Sequence, residues 1–359
     1  MMRIRKLIPL IGLVLLLAAG AIFATMNTAP FAIDHDPKPL QIGDEVGENS
    51  QTDPKMYGRP AAFVVDAKLS IDDAAPVSHS QFGRTVKECS DAGDQMIAQI
   101  TRRLGVDPKV DLSEEDIVMT GDVEDAQILA VFDVNEDRLS LISGEPDEKQ
   151  KEQAQKLFAI FAQLIPSKWR EDLTKVEIYR NSLVNAYLAA DEENARKRVL
   201  GLDLEAFDGV HNIDIMTLMI YEFAHLFSTD DEQMKDGILC IDPHKDMLDC
   251  ARPESYIYQF DRQFWSNVDK NWRNNGSKHQ KDVEEFYRLN KDKFVNAYAV
   301  NGAHEDFAES FLSFVIENRP ENENEVVDQK MLFFYQYPEL VELRAELLDN
   351  MIEIGSQLP

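Results

Sequence analysis

Two polar residues, Glu222 and His225, interrupt an otherwise apolar run from Asp214 to Phe227. They lie three apart, so on a helix they face one direction. With the residue before them they form Tyr221-Glu222-Phe223-Ala224-His225, one residue away from H-E-x-x-H. In that motif two histidines at i and i+4 share a helical face and hold zinc, and the glutamate between them is the general base. Here the glutamate and the second histidine are present, and tyrosine stands at the first position. The plainer alternative is a carboxylate and an imidazole that satisfy each other in a core, because buried polar groups need partners.

A second cluster lies about eighty residues on. The segment from Asn296 to Phe311 leads into an amphipathic helix. Glu305, Ala308, Glu309 and Leu312 fall on one face, and Phe307, Phe311, Phe314 and Val315 on another. Two glutamates at i and i+4 with a small alanine between them suit a close approach to a metal or to another helix. A solvated acidic first turn, favoured by the helix dipole, accounts for Asp306. It does not account for the preceding Tyr298-Ala299 and Asn301-Gly302.

Together, Tyr-Glu-x-x-His followed by Tyr-Ala, Asn and Glu-Asp-Phe-Ala-Glu-Ser-Phe resembles the gluzincin-type zinc metallopeptidases. The similarity is to catalytic domains of the anthrax lethal factor type and to uncharacterised secreted bacterial relatives, and it spans roughly residues 210–318. The resemblance implies a zincin-like fold, a zinc cofactor and hydrolysis of a peptide or protein substrate. It makes Glu222 the base, Tyr298 the stabiliser of the oxyanion, His225 and Glu305 metal ligands, and Glu309 their support. Tyr221 departs from the pattern, because it stands where the first ligand histidine belongs. A phenol ligates poorly unless ionised, and its free pKa is about 10. The expected loss against histidine is about 2–4 kcal/mol, or roughly 30- to 1,000-fold in affinity. Two substitutes are at hand in the sequence. His304 adjoins Glu305 and so faces about 100° away on a helix, which makes it a poor substitute, and His211 precedes the motif helix and reaches only if the chain turns back. Three readings follow: a zinc peptidase with an altered ligand set, a metal-free protease-shaped protein that binds a peptide or envelope partner in the former cleft, and a structural or envelope-associated interaction protein with a buried hydrogen-bonded network.

The elements that must position these residues are also legible. Strands are expected at Ala126–Val134, Val176–Tyr179, Val184–Leu188 and Arg198–Asp203, with a further short one at Ala61–Val65. Helical spacing marks 89–104 and 146–165. After residue 212 the chain reads as mostly helical, with Tyr256, Phe260, Phe264, Trp265 and Trp272 as a core stripe. A small sheet, an active-site helix and a helical C-terminal half make an α+β architecture. The motif helix and the helix at 304–318 are expected to pack side by side, with His225 and Glu305 converging.

Arg3, Arg5 and Lys6 precede an uncharged apolar stretch from Leu7 to Ala24. This reads as a signal peptide or a single membrane anchor that places the rest outside the cytoplasm. Residues 25–85 read as a spacer with a short strand region, and 86–359 as the metallopeptidase-like domain. With 44% hydrophobic residues the chain has material for a sizeable core. A net charge of −28 argues against nucleic acid as a partner. Of the three cysteines, Cys240 and Cys250 bracket a nine-residue polar loop. In an oxidising compartment a bridge between them is expected, worth roughly 2–3 kcal/mol.

Overall fold

The computed structural model describes residues 69–357 apart from 79, 106–107, 109–126, 181–183, 236–246, 267, 269–271 and 273–279. The expected N-terminal segment, the strand at 61–65 and Cys240 lie outside the described residues. The fold is mixed α+β. Helix α1 (Val86–Leu104) is followed by strands β1 (Gln127–Asn135) and β2 (Arg138–Gly144), helix α2 (Glu148–Leu164), and strands β3 (Leu173–Arg180), β4 (Ala186–Ala190) and β5 (Arg198–Asp203). Helices α3 (Asn212–Ser228), α4 (Tyr256–Phe264), α5 (Gln280–Asn290), α6 (Ala303–Ile316), α7 (Val326–Phe334) and α8 (Pro338–Gln357) complete the chain.

The five strands form one sheet in the order β2-β1-β3-β5-β4. β3 and β5 are parallel, and the other neighbours are antiparallel. β5 is buried along its whole length, as expected of an inner strand covered on both faces. β2 was not anticipated from the sequence. It is an edge strand, exposed along most of its length, so burial imposes little alternation on it. β1 supplies its ladder through a two-residue connection in which Glu136 takes a left-handed φ of 57°.

Helix α3 is the centre of the molecule. Every side chain from Ile215 to Ser228 is buried, because the helix has the sheet on one side and α6, α2 and α8 around the rest. A helix that is apolar all round belongs in such a place. α6 is the same: all residues from Glu305 to Ile316 are buried, so the solvated acidic face expected of an amphipathic helix is absent. Phe223, Phe227, Phe307, Phe311 and Phe334 interlock between these helices.

Two buried arginines fix the ends of the site helices. Arg198, on β5, donates to the carbonyl and hydroxyl of Thr229 and so ties the sheet to the C-terminus of α3. Arg344, on α8, donates to the carbonyls of Phe314, Glu317 and Ser90 and to Asp94, at 2.6–3.3 Å. Gly93 permits this clamp, because a Cβ there would sit 2.3 Å from the guanidinium. The part of residues 25–85 that is described packs on the body: Leu69 and Val77 are buried in the main core, and Val86 donates to the Ala75 carbonyl. Cys89 is a buried free thiol and Cys250 is disulfide-bonded.

Candidate functional site

The residues singled out on the two helices meet. α3 and α6 pack together, and His225 Nε2 lies 3.4 Å from Glu305 Oε2. Tyr221, one turn before His225 on α3, has its ring 4.9 Å from the imidazole. Its hydroxyl donates to the same Glu305 Oε2. Tyr298 comes from a short 3-10 turn, Tyr298–Asn301, before α6, and its ring is 6.4 Å from that of Tyr221. Asn296 orders this approach. Its side-chain oxygen accepts from the Tyr298 and Ala299 amides, and its amide donates to Glu309 Oε2 at 2.7 Å.

His304 was expected to face away from Glu305, but the structure brings the two together. Its Nε2 lies 3.3 Å from Glu305 Oε1, and its ring is 6.1 Å from that of His225. A separation of about 100° holds for side chains that project radially from the helix axis. At the first turn of α6 the imidazole instead folds back over Gly302. His211, the other substitute, is the N-cap of α3 and is exposed. It stands about 21 Å from His225 along the helix, at 1.5 Å per residue, and takes no part.

The site is buried, and its electrostatics follow from that. Burial works against the ionised form of Glu305, but His304 and His225 beside it win and hold its carboxyl well below the usual range. Burial pushes Glu222 well above the usual range, and the Glu305 charge adds to the effect. Glu309 is raised to about 8, chiefly by burial, although its bond from Asn296 opposes the shift. Burial and then the Glu305 charge push the Tyr221 phenol far up, so it stays protonated and donates. Three buried polar atoms at the site have no protein partner: Glu222 Oε1, His225 Nδ1 and the Tyr298 hydroxyl.

The donor set can be tested against zinc. Bonds of about 2.0–2.1 Å meeting at a tetrahedral angle put two donors about 3.3–3.4 Å apart. His225 Nε2 and Glu305 Oε2 meet that requirement. The third position does not fit. Tyr221 presents a neutral phenol, and its proton occupies the carboxylate oxygen that a metal would use. A metal-bound histidine ordinarily anchors its other nitrogen on a carboxylate or carbonyl, and His225 Nδ1 has no such partner. Among the described residues no three His, Cys, Asp or Glu side chains are arranged to hold a metal ion. His225 and Glu305 thus have the spacing of two zinc ligands, and Tyr221 does not supply a third.

Sequence reasoning missed what lies one residue along. Asp306 is fully buried and paired with the equally buried Lys330 at 2.6 Å. Trp265 Nε1 donates to the same Asp306 oxygen at 2.7 Å, and Lys330 also lies over the Phe294 ring. Lys330 lies 24 residues beyond Asp306 on another helix, and nothing local marks it as a partner of α6.

No protein-family model matches the chain. No curated protein is similar to it, and no solved structure resembles it.

Proposed function

We propose that this chain is an extracytoplasmic protein of zinc-peptidase-like architecture that acts by binding a peptide or an envelope partner, without metal-dependent hydrolysis. The observation that carries this reading is the Tyr221–Glu305 hydrogen bond. Where a zincin would place a metal against the glutamate, this chain places a phenol proton. The extracytoplasmic assignment rests on the basic-then-apolar N-terminus. Hydrolysis of peptide bonds is the second reading. It is supported by Glu222 and Tyr298, which keep the positions of a base and an oxyanion donor and have buried polar atoms without protein partners.

Calorimetric titration of the purified chain with zinc separates the two. The parent is expected to give no binding heat, and Tyr221→His is expected to bind at least about tenfold more tightly, which corresponds to about 1.4 kcal/mol. The parent should leave an unfolded polypeptide substrate intact with or without added zinc. Tight zinc binding by the parent, or cleavage that Glu222→Gln abolishes, would establish the second reading instead.

A further inference from the structure

Building on the metal-free reading above, we infer that His304 completes a cage, made by the Tyr221 hydroxyl and two imidazoles, that holds Glu305 in the place of a metal ion. A buried carboxylate is stable only when its lone pairs are satisfied. Glu305 is 2% exposed, and two further carboxylates, Glu222 and Glu309, are buried in the same site. A zinc ion would ordinarily answer that demand. Here the demand falls on three side chains. Tyr221 donates to Oε2, His225 Nε2 stands at 3.4 Å from the same oxygen, and His304 Nε2 stands at 3.3 Å from Oε1. Without His304 the Oε1 side of the carboxylate would lose the donor that faces it.

The backbone has made room for this arrangement. Gly302 is extended, with φ 166°, a conformation open to any residue. Its lack of a side chain matters for a different reason. A Cβ at 302 would lie 2.9 Å from His304 Cε1 and 3.0 Å from Nδ1. The imidazole therefore occupies the space a side chain at 302 would need. His304 is also the most open member of the cage, with its side chain 13% exposed against 4% for His225. It closes the site on the side toward solvent.

The test compares thermal midpoints of the full chain with and without zinc. His304→Phe keeps a ring and removes the donor, and it should lower the midpoint by about 4 °C or more. His304→Gln retains a donor and should recover at least half of that loss. Gly302→Ala should move the midpoint in the same direction as His304→Phe, by crowding the imidazole. The decisive arm uses Tyr221→His. With zinc bound there, adding His304→Phe should cost less than half of what it costs the parent, because the metal then holds Glu305. If His304→Phe changes the parent by less than about 1 °C, or if His304→Gln is as damaging as His304→Phe, the cage is overturned and the metal-free reading stands. If the parent itself titrates zinc tightly, that reading fails and the cage fails with it.

Discussion

Glu305 and Asp306 are consecutive, both buried, and both at the start of α6, yet they sit in opposite kinds of surroundings. Asp306 is matched by a lysine and an indole, with the Ser310 hydroxyl at 3.4 Å from its second oxygen. Glu305 is held by a phenol and two imidazoles, and the groups around it leave three buried polar atoms without partners. Fully matched buried charges fix structure, while unmatched ones mark places where stability has given way to something else. The Asp306 side of α6 anchors the helix. The Glu305 side leaves buried polar atoms of Glu222, His225 and Tyr298 without protein partners.

The largest effect is expected at Lys330. Lys330→Met leaves the Asp306 carboxylate buried and unpaired, and it should destabilise the fold by about 3–5 kcal/mol in urea denaturation. Adding Asp306→Leu should recover much of that, since replacing both members of a buried pair by apolar groups is often close to neutral. A loss below about 1 kcal/mol for Lys330→Met would put the anchor elsewhere. Tyr221→Phe should cost less, about 1.5–3 kcal/mol, because the carboxylate keeps the two imidazoles beside it. If Tyr221→Phe costs more than Lys330→Met, the assignment of anchor and site is reversed.

A smaller effect appears as a pH dependence. Burial, with the Glu305 and Asp306 charges adding, raises Glu309 to about 8 from an ordinary value of 4.5. The folded state therefore binds this proton more tightly than the unfolded state. Its stabilising contribution is fully present below pH 4.5, and it is lost as pH rises through 8. Glu309→Gln should flatten stability across that window while leaving the Asn296 contact in place, and urea midpoints at several pH values would reveal it. A slope unchanged in the variant would assign the dependence to other groups. The smallest effect should come from a turn remote from α6. Burial raises Asp230 to about 6, against the backbone amides of Gln233 and Glu232 that favour its charged form. Its contribution is lost as pH rises through 6, and Asp230→Asn should remove that part of the profile while keeping an acceptor for both amides.

Much of the frame was legible because it depends on local pattern. Helical spacing over 89–104 marked α1, and the residues of β1, β3 and β5 marked strands. The Tyr-Glu-x-x-His and Glu-Asp-Phe-Ala-Glu stretches named two helices that the fold packs against each other. β2 was not legible, because an exposed edge strand is made by its neighbour rather than by its own pattern.

Residue type and spacing alone placed the chemical groups on two helices, with Tyr221, Glu222 and His225 on one and Glu305 and Glu309 on the other. Only the tertiary structure decided what those groups do to one another. Whether Tyr221 is a ligand or a donor depends on where Glu305 Oε2 lies, across 84 residues of chain. Whether His304 turns toward Glu305 depends on the space over Gly302. Whether Asp306 meets water or Lys330 depends on how α7 packs against α6. Hydrogen bonds and burial are set by distances between segments far apart in sequence, and no local pattern encodes those distances.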